Sequence, residues 1–449
     1  MRDFPPFGFV AMFVKKDKGK QSYYNGIVVK VFMIGWEFPP FISGGLGTAC
    51  YGLTKAMSRR GMEITFVLPR GGASDHGNYM KMLSAEGFIK AEDLSAFKNV
   101  RFHTVTSPLK PYILSELCGA GCVKKLSGNV RNWHSNPSKH LQNYGRDIYE
   151  QVHQYAERTA EIASVEDFDI VHGHDWMTFP AAIAAAKSSQ KPLVVHVHST
   201  EFDRSGEQVN QVVYDIERQG MHEAQRVVAV SNYTKNIIIN RYGVSSDKIE
   251  VVYNGVEGNG SVHQQRPADK VDKVVLFLGR ITFQKGPDYF IAAAKKVLEK
   301  MSNVKFIMAG DGDMMHRMIE YAAYLGIGHK VFFTRFLRGH DVEKVYQMAD
   351  LYVMPSVSEP FGIAPLEALK NNVPVLVSKQ SGIAETLRNA LKVDFWDVNQ
   401  IANKIVAVLK HQPLSRMLCE HGRNEAERFR WEDTAAKINE IYRRILNYN

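Results

Sequence analysis

The stretch Ile27-Val28-Val29-Lys30-Val31-Phe32-Met33-Ile34-Gly35-Trp36-Glu37-Phe38-Pro39-Pro40-Phe41-Ile42-Ser43-Gly44-Gly45-Leu46-Gly47-Thr48 decides the fold. It begins as an apolar, β-branched run, passes through a turn rich in Gly and Pro, and ends by opening a helical pattern. Leu46, Ala49, Leu53, Ala56 and Met57 share one face of that helix, and Gly61 stops it. A strand that runs through such a turn into a helix opens a β-α-β unit. Gly44 and Gly45, lacking a Cβ, let backbone N–H groups approach an anion where the helix dipole favours negative charge. Taken by itself, the turn is equally well a purely conformational device.

Outward from this stretch the same alternation continues. Strands are predicted near 27–34, 64–68, 100–105, 170–172, 193–197, 227–230 and 249–252, and a second series near 274–278, 305–308, 331–333, 351–354, 373–377 and 392–393, with helical patterns between them. Between the two series, Glu257–Asp272 is rich in Gly, Asn, Gln and charge and reads as a linker. The expected fold class is therefore α/β, with two Rossmann-like domains facing across an interdomain cleft. Ligands of such sheets bind beyond the carboxyl ends of the strands. The expected organisation is an extension over 1–26, a first domain over 27–257, a linker over 258–272, a second domain over 273–428, and a C-terminal helix over 429–449 that returns to the first domain. Residues Pro69–Gly145 read as an excursion from the first sheet.

Composition narrows the function classes. The 449 residues are 45% hydrophobic and 23% charged, which is globular and excludes a wholly disordered or collagen-like chain. The 56 basic and 47 acidic side chains leave +9, but they are interleaved, which favours a cleft for an anionic small molecule over a nucleic-acid groove. Four scattered cysteines, Cys50, Cys118, Cys122 and Cys419, make no disulfide framework and fit a cytoplasmic location. Cys118 and Cys122 have no zinc-like second cluster nearby. Phe4–Val14 followed by Lys15, Lys16, Lys18 and Lys20 has the reverse order of a signal peptide; it reads as an extension or as an interfacial anchor.

Two further stretches carry chemistry. Leu278-Gly279-Arg280-Ile281-Thr282-Phe283-Gln284-Lys285-Gly286 leaves a strand end with a guanidinium and an ammonium five residues apart, a pair suited to gripping a diphosphate. Ser358-Glu359-Pro360-Phe361-Gly362-Ile363-Ala364-Pro365-Leu366-Glu367 places Glu359 in a loop and Glu367 just inside a helix. Asp311-Gly312-Asp313 has the spacing of a metal-binding Asp-x-Asp, but it follows a regular strand and reads as a turn beside the nucleotide.

Together with His172-Gly173-His174-Asp175-Trp176, His196-Val197-His198-Ser199-Thr200-Glu201, Val230-Ser231-Asn232 and Asn254-Gly255-Val256, these motifs make the chain resemble the GT-B retaining glycosyltransferases of family 4, on their glycogen and starch synthase-like side. The resemblance implies that Arg280 and Lys285 hold the donor diphosphate, helped by backbone at Gly44, Gly45, Gly362 and Ile363. It implies that Glu367 binds the ribose and that Glu359 lies beside the transferred sugar. It places His174 near the reaction centre, with Asp175 and Trp176 shaping the sugar pocket. The implied partners are a UDP- or ADP-glucose donor and an α-glucan acceptor, with no nucleic acid, no membrane association and no metal or other cofactor. Transfer to a lipid-linked or cell-envelope glycan stands as the alternative, and a non-catalytic nucleotide-sugar binder as a third reading. Ser43 in place of a Lys, and Ser381-Gly382 in place of Gly-Gly, depart from the family pattern.

Overall fold

A computed structural model describes residues 28–39, 44–70, 95–106, 148–257 and 272–448. The expectations placed on the 1–26 extension, Ser43, Cys118, Cys122, most of the 69–145 excursion and most of the linker lie outside the described residues.

Two sheets, every neighbouring pair parallel, organise the chain. The first is built from β1 (Lys30–Ile34), β2 (Glu63–Arg70), β3 (Val100–Thr106), β4 (Ile170–His174), β5 (Leu193–Val197), β6 (Arg226–Ala229) and β7 (Ile249–Val251), in the order β3-β2-β1-β4-β5-β6-β7. The second is built from β8 (Lys273–Leu278), β9 (Val304–Ala309), β10 (Val331–Arg335), β11 (Leu351–Met354), β12 (Val375–Ser378) and β13 (Leu391–Val393), ordered β10-β9-β8-β11-β12-β13. Both orders reverse beside the first strand, at β1/β4 and at β8/β11, and those switch points are where ligands of doubly wound sheets sit. The fold is two Rossmann-like α/β domains facing a cleft.

The central strands are apolar on both faces because helices cover both; all five residues of Leu193–Val197 are buried. The predicted strands recur with shifted ends. The stretch expected at 373–377 starts at Val375 instead, because Pro374 has no N–H to give the ladder and contributes only its carbonyl, which accepts from Tyr352 N. β4 runs on to His174, two residues past its expected end.

The last helix, Trp431–Leu446, lies on the first domain. Trp431, Ala435, Ile438 and Tyr442 repeat at helical spacing and are buried with Leu53, Ala56 and Met57 of the Gly45–Arg59 helix. The two helices come close because position 52 is glycine, where a Cβ would stand 2.2 Å from the Trp431 ring. At about 1.5–3 kcal/mol for each large apolar side chain buried, this seam holds the end of the chain against its beginning.

Candidate active site

Between the carboxyl ends of the two sheets lies a cleft of about 540 Å³. The loop after β1 forms one wall. Gly45 opens the Gly45–Arg59 helix and has free space where a Cβ would be, as a phosphate cradle requires. Gly44 is different. Its N–H donates to the Glu37 carboxylate, and a Cβ there would stand 2.6 Å from Glu37 Oε1, so this N–H is already engaged within its own loop. Glu37 is 1% exposed, and burial pushes its carboxyl up to about 7 against the pull of the Gly44 N–H and the Arg280 charge.

The opposite wall carries the second-domain residues. Arg280 follows β8 and donates to Gln284 Oε1 at 3.3 Å. Lys285 ends a single 3₁₀ turn and is ion-paired to Glu359, whose Oε2 also accepts from Ser356 Oγ at 3.4 Å. Gly286, at φ 63°, turns the chain into the Pro287–Leu298 helix in a conformation that costs glycine little. Gly362, at φ 105°, does the same for the Ile363–Lys370 helix, with Glu367 in its second turn. Glu367 Oε2 accepts from Tyr346 OH at 3.0 Å, and burial raises its carboxyl above the ordinary range. Arg280, Lys285, Glu359, Gly362, Ile363 and Glu367 all line the one cleft with Gly44 and Gly45. The Asp311-Gly312 turn packs on the backbone of Ile281, and the Asp311 carboxylate accepts from Gly312 N at 2.8 Å.

At the end of β4 the arrangement departs from expectation. Asp175 and Trp176 line the cleft, but His174 is fully buried and lies behind His198. Its Nδ1 is 3.0 Å from His198 Nε2, and the ring that reaches the cleft is that of His198. The cause is the longer β4. His174 is still a strand residue, packed on the same face as His172 two positions earlier. Burial lowers the His174 imidazole to about 3, so it is neutral. Asp175 adopts φ 60°, ψ 171°, a region almost reserved for glycine and worth about 1–3 kcal/mol of strain. Two bonds hold it there, with Oδ1 accepting from His198 N at 2.7 Å and from Ser199 N at 3.3 Å. Burial raises its carboxyl to about 7.

Motif spacing passes over the residues that join the domains. Asp203, 1% exposed, closes a capping box with Thr200 and accepts from Ser358 Oγ, which also meets Tyr233 OH at 2.9 Å. Pro360 O accepts from Ser231 Oγ, and the Glu385 carboxylate accepts from Asn232 N at 2.8 Å and Tyr233 N at 3.1 Å. The Glu359 loop is thereby fastened to the first domain. The sequence motifs do contain Thr200, Ser231 and Asn232, and Asp203 follows as the third residue after Thr200, but nothing in their spacing says that they meet the Glu359 loop.

Comparison with known proteins follows the same division. Residues 43–258 match the family model described as Glycosyltransferase Family 4, and residues 260–425 the model described as Glycosyl transferases group 1. An uncharacterized glycosyltransferase of Methanocaldococcus jannaschii is 27% identical over 92% of this chain and 98% of its own. A glycogen synthase of Mycobacterium tuberculosis is 22% identical over 92% of this chain and 94% of its own. A D-inositol 3-phosphate glycosyltransferase of Rhodococcus jostii is 27% identical over 63% of this chain and 68% of its own. Among solved structures, HepE of Anabaena in complex with UDP and glucose superposes with a TM-score of 0.66 at 18% identity, covering 92% of this chain and 99% of that one. The lipopolysaccharide outer core galactosyltransferase WaaB superposes with a TM-score of 0.58 at 16% identity, covering 92% and 98%.

Proposed function

The chain is a glycosyltransferase of GT-B fold in the superfamily of those two family models, and from that premise we propose that it transfers a hexose, with retention, from a nucleoside-diphosphate donor to a lipid-linked or cell-envelope glycan acceptor. The observation that carries the donor half is the convergence of Arg280, Lys285, Glu359 and Glu367 on one cleft between the two sheets. Breaking a sugar–phosphate bond builds negative charge on the diphosphate and positive charge on the anomeric carbon. Arg280, Lys285 and the Gly45 and Ile363 helix starts answer the first, and the Glu359 carboxylate with neighbouring carbonyls answers the second. Glu367, set deeper along its helix, takes the ribose hydroxyls. Asp175, Trp176 and His198 shape the sugar pocket, with His174 supporting His198 from behind. The second domain, over 273–428, holds the donor, and the first, over 27–257, presents the acceptor. Closure of the two domains over the donor excludes water.

The acceptor half rests on the relatives. The synthase-like opening Trp36-Glu37-Phe38 taken alone favours an α-glucan. Against it, the inositol-phosphate transferase is more similar over its matched span than the glycogen synthase is, and the lipopolysaccharide enzyme shares the fold. An acceptor screen decides it, reading nucleoside diphosphate release from UDP- and ADP-glucose in the presence of glycogen, a polyol phosphate, or a lipid-linked glycan. The expected outcome is release stimulated by the lipid-linked glycan and not by glycogen; stimulation by the polyol phosphate alone would overturn the glycan acceptor. Stimulation by glycogen or maltooligosaccharides alone would restore the α-glucan reading.

A further inference from the structure

We propose that His172, His174 and His196 form a binding site for a late first-row transition-metal ion of the Zn²⁺ or Co²⁺ kind, buried between the cleft and the C-terminal helix. The site does not depend on the transferase reading, and it meets the sugar pocket only through the His174–His198 contact.

The strands create it. β4 and β5 are paired with His174 opposite His196, so both residues and His172, two positions back, project from the same face of the sheet. All three are fully buried. Their ring centroids lie 4.5, 5.3 and 5.4 Å apart, and one ring nitrogen from each falls within 4.8 Å of the others. A Zn–N bond of about 2.1 Å needs tetrahedral nitrogens about 3.4 Å apart, so seating an ion draws the three rings in by up to about 1.4 Å from the 4.8 Å limit.

The hydrogen bonds leave the site unsatisfied in a specific way. His172 Nδ1 is bonded to Tyr442 OH on the C-terminal helix, and His174 Nδ1 to His198 Nε2. Among the described residues, nothing meets His172 Nε2, His174 Nε2 or either nitrogen of His196. Native interiors seldom leave four buried nitrogens unpaired in one place, and an ion would engage three of them. The partners that do exist are of the kind metal-binding imidazoles use. A ligating histidine commonly donates its other N–H to a fixed acceptor, which leaves the free nitrogen with its lone pair. The Tyr442 hydroxyl oxygen can accept from His172 Nδ1–H. Three imidazole nitrogens with no carboxylate among them select Zn²⁺, Co²⁺, Ni²⁺ or copper and reject Mg²⁺ and Ca²⁺.

The full chain, stripped with chelator, is titrated with Co²⁺ and followed by its visible absorption. The expected result is one equivalent bound with the intense bands of tetrahedral, nitrogen-ligated cobalt, displaced by Zn²⁺. His196→Phe keeps a ring in the stack and should cut uptake to about a tenth of an equivalent or less. Folded wild-type protein that binds no stoichiometric ion would mean that water fills the site, and the proposal fails. Uptake that His196→Phe leaves unchanged would assign the ion to exposed histidines such as His153 or His340, and the proposal fails there too. Should the variant not fold, X-ray absorption of the wild-type zinc form decides: scattering from three imidazoles supports the site, and from fewer than three overturns it.

Discussion

Lys285 and Glu359 neutralise each other on the second-domain wall of the cleft, and each is mostly buried. Removing Lys285 therefore does two things: it takes a cation from the leaving diphosphate and leaves a carboxylate unpaired beside the sugar. Lys285→Ala is expected to lower kcat by about 10²–10³, or about 2.7–4 kcal/mol, with Arg280→Ala in the same range. Steady-state kinetics with saturating donor checks it, and wild-type turnover would remove both residues from the site. Glu37 carries a prediction about pH. Its carboxyl, near 4.5 in the unfolded chain, rises to about 7 through burial. What the protonated form contributes to stability is complete below about pH 4.5 and is lost as pH climbs through about 7, at most about 3 kcal/mol. Asp175 and Glu217 shift in the same direction, so the difference between wild type and Glu37→Gln isolates this group. Urea midpoints at pH 5 and pH 8 should fall further apart in wild type than in the variant. At this scale the sequence revealed charges and glycines by their spacing. It could not reveal that Glu37 folds back onto Gly44 or that His198 stands in front of His174, since both depend on where a loop or strand stops.

Single turns of chain set the donor wall. Gly286 holds φ 63°, and a Cβ there would lie 2.1 Å from Pro355 O, immediately beside the Lys285–Glu359 pair. Gly286→Ala should cost about 1–3 kcal/mol from backbone strain alone, read as a lower urea midpoint. It should also raise the donor KM, because Lys285 is displaced with the turn. The strands themselves were legible, since a parallel sheet covered on both faces writes itself as short β-branched runs. Leu193–Val197 and Leu351–Met354 appear with their predicted ends. Ends shifted by two or three residues at β1, β2, β4, β10 and β12, and two of these have a plain cause: Pro374 delays β12, and the polar letters of His172-Gly173-His174 hide the final residues of a buried strand.

Across the whole molecule, the Asp203–Ser358 bond joins the first domain to the loop that bears Glu359. Ser358→Ala removes about 0.5–1.5 kcal/mol of hydrogen bonding and should lower kcat while leaving nucleotide affinity, measured by calorimetry, close to wild type. Equal losses in both would mean that Ser358 supports only the fold. Trp431→Ala should destabilise by about 3–5 kcal/mol, because the Gly52 side of the seam is shaped to that ring. The sequence predicts a return of the C-terminal helix to the first domain but to no particular residue there: Trp431 and Gly52 lie 379 positions apart and meet only in space. That distance has a consequence for biosynthesis. During translation, at about 5–20 residues per second, the first domain emerges long before Trp431–Leu446 is made. For that interval Leu53, Ala56 and Met57 lack the cover of that helix, and His172 lacks its phenol partner. The nascent first domain is thus an unfinished body until Trp431–Leu446 has been made and has docked, with an apolar seam open to solvent in the meantime.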